Sequence, residues 1–180
     1  MTSILKVDNL QDASGTGTPY IKGAVLQMPF TQYIGTTSVE VDATWTAIDV
    51  LSVNITPKST SSIIKLDAHI FHEWSNVNAG TESAWFFYRG TTRLAHPDAG
   101  SRQCGITTSA ISHHQDAGST PETAYYSYFD SPNTTSQITY KVGVLNYYVN
   151  TVFINRTVTD TDGGQYERGI SFISATEIGG

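Results

Sequence analysis

Three local groupings in the chain could do chemistry. His69, His72 and Glu73 stand close together, as do His113, His114 and Asp116, and Asp160-Thr161-Asp162-Gly163 opens like a calcium loop. Imidazoles and carboxylates at short spacing are the materials of zinc sites and acid–base pairs. Each grouping also has a plainer reading. His69 and His72 lie in an alternating, strand-like stretch, where residues three apart face opposite sides, so one ion would need a bulge to meet both. His113 and His114 diverge for the same reason. In a trimer, however, a histidine near the three-fold axis would meet its own copies and could bind an ion or titrate near pH 6. A calcium loop needs a carboxylate at its twelfth position; counted from Asp160 that place is Ser171, so the segment reads as a turn.

Cys104 is the single cysteine, which excludes an intrachain disulfide or a cysteine-based metal site and leaves a small core residue. There is no Gly-x-Ser-x-Gly elbow, no phosphate-binding loop and no GxGxxG. The carboxylates Asp98, Asp116, Asp130, Asp160 and Asp162 sit in turn contexts. The expectation is a chain that is not an enzyme and needs no cofactor or metal. Aromatic residues are the remaining candidates, because they build subunit interfaces and platforms for sugars. Trp85, Phe87, Tyr126, Tyr128 and Phe172 are expected at an interface between copies, and Trp74, His113 and His114 at contacts with a glycan or another surface.

The elements that must position these residues are strands. Apolar residues alternate with polar ones at Leu51, Val53 and Ile55, at Ile64, Leu66, Ala68 and Ile70, and at Ile138, Tyr140, Val142 and Val144. Val39, Val41, Ala43 and Trp45, then Val152, Ile154, Arg156 and Val158, continue the pattern, as do Ile170, Phe172, Ser174, Thr176 and Ile178. A period of two means one buried face and one wet face. Residues 85–88 and 125–129 are apolar or aromatic on both faces, which predicts strands covered on both sides, by a second sheet and by a neighbouring subunit. Turn signals at residues 56–59, 78–80, 98–100, 130–133 and 162–164 separate the runs. Strands at this spacing predict an antiparallel β-sandwich. No segment keeps helical periodicity.

Residues 1–22 differ. Ile4, Leu5, Lys6 and Val7 could form a short strand, and residues 11–19 are a small, polar linker without the means to make a core. Such a segment is ordered only where something ties it down. It is expected to be a docking arm, with Ile4, Leu5, Lys6, Val7, Asn9 and Leu10 on another chain; the alternative is an arm folded along its own sandwich. Residues 23–180 form the head.

Composition excludes several classes. Charged residues are 14% of the 180, Ser and Thr together are roughly a quarter, and net charge is -6. The ten basic residues are scattered, which argues against a nucleic-acid footprint or an anionic membrane surface. No run of apolar residues is long enough to span a bilayer, and residues 1–10 do not read as a signal peptide.

Several segments resemble small structural proteins of marine and cyanobacterial tailed phages. Ile4-Leu5-Lys6-Val7-Asp8-Asn9-Leu10-Gln11 with Gly15-Thr16-Gly17 is similar to their opening, and Gly23-Ala24-Val25-Leu26-Gln27 to the start of their β-domain. Leu51-Ser52-Val53-Asn54-Ile55-Thr56-Pro57, Tyr88-Arg89-Gly90-Thr91-Thr92, Asp98-Ala99-Gly100-Ser101-Arg102, Asp130-Ser131-Pro132, Thr139-Tyr140-Lys141-Val142 and Ile154-Asn155-Arg156 continue the likeness. Residues 71–80 and 113–120 depart from it. The resemblance implies a jelly-roll head of the C1q and tumour-necrosis-factor shape, a homotrimer, and a place on the exterior of a virion assembled in a bacterial cytoplasm. Its implied partners are other virion proteins, either the major capsid protein or tail and fibre proteins. The role would be that of a capsid decoration (cement) protein or, as the alternative, a lectin-like tail-fibre component touching host surface glycans. It implies no catalytic residue.

Overall fold

The structure, a computed structural model, describes residues 22–76, 82–109 and 118–180. Among these there is no α-helix. Eleven strands run β1 (Val25–Gln27), β2 (Phe30–Tyr33), β3 (Thr37–Val41), β4 (Thr46–Ile55), β5 (Ile63–Trp74), β6 (Ser83–Arg89), β7 (Thr92–Leu94), β8 (Glu122–Asp130), β9 (Ile138–Asn146), β10 (Asn150–Ile154) and β11 (Ser171–Ile178).

Two antiparallel sheets result, consistent with a β-sandwich. One has the order β4-β9-β6-β7. The other is centred on β5, which pairs with β8 along one edge and shares its other edge between β11, from Ile63 to His69, and β10, from His72 to Trp74. Beyond them lie β1 and β2 against β11 and β3 against β10, so three short strands form one interrupted outer row. The interruption follows from sequence: Pro29, which has no N–H to give to a ladder, separates β1 from β2, and Gly35 lies between β2 and β3.

The alternation read from the sequence is borne out in β4, β5 and β9. Leu51, Val53, Ile55, Ile64, Leu66, Ala68, Ile70, Tyr140, Val142 and Val144 all point into one core. In β11 the expected face is inverted. Ile173 and Ala175 are fully buried, whereas Phe172, Thr176 and Ile178 are only partly covered and Ile170 is exposed. A shift of one residue exchanges the faces of a strand, and hydroxyls on both faces of this one hid which was inward. The run expected from Val39 to Trp45 also stops early, because the chain turns after Val41, where Asp42 caps the turn by accepting from the Thr44 amide at 2.7 Å.

Strand β6 is covered on both faces, and both covers come from its own chain. Trp85 and Phe87 enter the main core. Phe86 and Ala84 face the other way into a second apolar cluster with Leu145, roofed by Trp45, Ala95 and Ile106. Gly143 lies opposite Phe86 in β9, and the ring packs where a Cβ would otherwise stand. Cross-layer bonds tie the sheets. The Tyr126 hydroxyl donates to the Phe86 carbonyl at 2.9 Å, and Asp130 accepts from Arg89 at 3.0 Å and from the Tyr140 hydroxyl at 2.7 Å.

Candidate functional site

The side chains with chemistry in them are spent on the fold. His69 and His72 do point to opposite faces of β5. His69 stacks on Phe172 outside, at 5.8 Å between centroids, and His72 is fully buried. Around His72 a polar cluster has formed that sequence spacing did not suggest. Its Nε2 lies 2.8 Å from the Ser109 hydroxyl and 3.6 Å from a Glu122 oxygen; its Nδ1 faces the Ile70 carbonyl at 3.3 Å. Trp85 Nε1 donates to the same Ser109 oxygen at 2.8 Å.

Ser, His and Glu side by side invite comparison with a nucleophilic triad, but the arrangement differs. A triad puts the acid and the hydroxyl on opposite ring nitrogens, and here both lie at Nε2 while a carbonyl holds Nδ1. All three residues are buried. Burial pushes the His72 pKa down to about 4, with the Ile70 carbonyl opposing it, so the ring is neutral near neutrality. Neighbouring Glu73 accepts the Thr120 amide at 2.8 Å and the Val158 amide at 2.7 Å, fastening two loops. Ser109 and Glu122 were missed because they lie far from His72 in the chain; the strand pairing of His72 with Glu122 and the bridge between Thr107 and Trp85 bring them there.

Elsewhere the polar clusters are equally committed. Asp160 accepts from Arg168 at 2.6 and 2.7 Å and lies 3.6 Å from Arg156, so the calcium-like segment is an ion-paired loop. Glu177 is fully buried at the sandwich's end. Burial alone would raise its pKa, but hydrogen bonds donated by Ser62, Gln27 and the Lys58 and Ser59 amides outweigh it and lower the value. Among the described residues no group of three or more His, Cys, Asp or Glu could hold a metal ion.

The residues expected at an interface are mostly inside. Trp85 and Phe87 are 0% exposed and Tyr126 is 5% exposed; the cover expected from a neighbouring subunit is supplied by the chain's own second sheet. Tyr128 is partly buried against the core, and Phe172 alone of the five lies on an outer face. Trp74, expected at a glycan or surface contact, is buried beside His72 and Trp85. His113, His114 and the arm residues Ile4, Leu5, Lys6, Val7, Asn9 and Leu10 lie outside the described residues.

What remains open is apolar. The outer face of the β5 sheet carries Phe30 at 63%, Tyr125 at 61% and Phe129 at 61% exposure, with Met28 beside them. Strand pairing sets them in rows. Gln32, Phe172, His69 and Tyr125 follow one another across the sheet; next come Phe30, Ser174, Asp67 and Ser127; then Thr176, Lys65 and Phe129. Lys65 donates to Asp67 at 2.7 Å, and Ser127 donates to the same carboxylate at 2.6 Å, so the face is internally neutral. A shallow groove runs across it from Phe30 over Ser174 and Asp67 to Tyr125. The expectation of aromatics on both faces of β8 was correct, and the outward set, Tyr125 and Phe129, is the one available to a partner. A second apolar feature is the β9–β10 turn, where Tyr147, Tyr148 and Val149 are each more than half exposed. The scan against protein-family models finds no match, and the search of curated proteins finds none either.

Proposed function

We propose that the chain is a non-enzymatic structural protein of a tailed-phage virion, displayed on the particle exterior as a homotrimer. One observation carries the reading: His72, Ser109 and Glu122 are sealed inside, whereas Phe30, Tyr125 and Phe129 stand outside on one neutral sheet face. An enzyme keeps its polar groups where substrate reaches them; an assembly protein exposes apolar area to its neighbours. Strand order supports a jelly roll of the C1q and tumour-necrosis-factor kind. Rows β4-β9-β6-β7 face rows β8-β5-β11-β1, and the chain alternates between layers at β4, β5, β6, β8, β9 and β11.

In the decoration role, the arm from Ile4 to Leu10 docks on the capsid and the head projects. The described chain enters at the end of the sandwich where Gly23 donates to the Gly179 carbonyl at 2.7 Å. The Tyr147-Tyr148-Val149 turn lies at the opposite end, beside the Asp42 and Glu82 backbone. That placement favours one second reading, a tail-fibre component meeting host glycans through the distal tyrosines. Quantitative gels of purified particles separate the two. Hundreds of copies per particle are expected for decoration; a few to tens would transfer the protein to the fibre; absence from particles would end both readings.

A further inference from the structure

Residues 95–108 follow β7 and lie over the outer face of the β4 sheet, and a cavity of about 290 Å³ opens between them and β6. Its floor is fixed. The Ile106 amide donates to the Trp85 carbonyl at 2.7 Å, and the Trp85 amide donates to the Thr107 carbonyl at 2.8 Å. A Cβ on Gly105 would stand 2.8 Å from both the Ala84 Cβ and the Trp85 carbonyl oxygen, so glycine lets the loop lie this close to β6.

The walls are of two kinds. Ala84, Ala99 and Ile106 supply apolar surface, whereas His96, Arg102 and Gln103 supply polar groups. The Arg102 guanidinium is pinned at the rim by donating to the Ala99 carbonyl at 3.0 Å, and it pairs with no carboxylate among the described residues. The single carboxylate between residues 95 and 109, Asp98, is paired with Arg93. The rim is therefore cationic in a chain of net charge -6. Inside, the side-chain amide nitrogen of Gln103 is buried without a hydrogen-bond partner. Folded interiors rarely leave a donor so, because burial takes its water away and nothing replaces the bond.

We infer that this cavity binds a carboxylate carried on a short apolar chain. The carboxylate meets Arg102 and accepts from the Gln103 amide, and the chain lies against Ala84, Ala99 and Ile106. Other ligands fit less of the site. A cation would face Arg102 with no free acid to hold it, an inorganic anion would leave the apolar wall uncovered, and a hydrocarbon would leave the Gln103 donor unmet. The volume lies at the small end of ligand cavities, which run from about 300 to 1,000 Å³, and suits a short acid. Two sources share this chemistry, a free short-chain acid and the carboxy-terminal residue of a partner polypeptide. The site is on the sheet opposite the open β5 face, so the two are tested apart.

Cys104 supplies the readout, because it is the only cysteine, is 5% exposed and lines the cavity. The test follows alkylation of Cys104 by iodoacetamide, a neutral reagent, in the full chain by mass spectrometry. Hexanoate at ten times a Kd on the order of 1 mM should slow the reaction about tenfold. Acetate, which lacks the chain, inorganic phosphate, and hexylamine, which carries the opposite charge, should each slow it less than about twofold. Arg102→Gln and Gln103→Leu, with folding checked by circular dichroism, should each lose the hexanoate effect. Lys58→Gln, which removes an exposed cation from the turn before β5, should keep it. N-acetyl-leucine, a mimic of a peptide end, decides the source: stronger slowing than by hexanoate assigns a partner's carboxy terminus, and weaker slowing assigns a free acid. No slowing by either acid, equal slowing by phosphate or hexylamine, or an effect that survives Arg102→Gln or Gln103→Leu would overturn the inference.

Discussion

His72 shows how a residue type associated with catalysis can serve the interior. Its ring is held neutral by burial and joined through Ser109 to Trp85. The linkage has a definite sign. The unfolded chain takes up this proton as pH falls past the ordinary 6.5, while the folded chain resists it until about 4. Stability is therefore complete above 6.5 and declines across that window, by up to about 3 kcal/mol for this one group. Glu122, 3.6 Å away, pulls in the opposite direction and makes this the upper figure. Glu177 adds to acid sensitivity below that window: its lowered pKa stabilises the fold above the ordinary 4.5, a contribution lost as pH falls through the folded value. Urea unfolding followed from neutrality to pH 4 should show the decline in wild type and a flatter profile in His72→Gln; parallel profiles would assign the acid sensitivity to other groups.

At the scale of elements, β5, β6 and β9 explain what was legible and what was not. Alternation located β5 and β9 and their core faces, because over residues 64–70 and 138–144 one side carries only Ile, Leu, Val, Ala or Tyr and the other carries Lys, Asp, His, Thr and Gly. Residues 85–88 were recognisable as doubly covered, but composition could not say by what. Phe86 lies on Gly143 and meets Trp45 edge to face, with ring centroids 4.9 Å apart, and that cover depends on a loop far along the chain. In β11 the inward set includes Ser171 and Glu177, polar residues whose burial depends on partners such as Asn155 and Ser62 that sequence order does not reveal. The Phe86–Gly143 contact is directly testable. Gly143→Ala places a methyl group into the Phe86 ring and should cost about 1–3 kcal/mol in urea unfolding, while Gly164→Ala, which meets nothing, should be neutral. Equal stability of the two variants would show that Phe86 has room to move.

For the whole molecule the decisive feature is asymmetry between its two outer faces. The β4 sheet is roofed by its own chain; the β5 sheet presents Phe30, Tyr125 and Phe129 to solvent at about the exposure of the distal Tyr147 and Tyr148. Sandwich architecture was foreseeable from turn spacing and period. The open apolar face was not, since four of the five aromatics expected at an interface, Trp85, Phe87, Tyr126 and Tyr128, pack in or against the core, in keeping with the large apolar area each aromatic removes from water. Hydroxyl-radical footprinting of the intact chain at assembling concentration tests the account most directly. Tyr125, Phe129 and Phe30 should be protected while Tyr147 and Tyr148 are oxidised freely; equal oxidation of both groups would mean that no copy covers the face and would contradict the account.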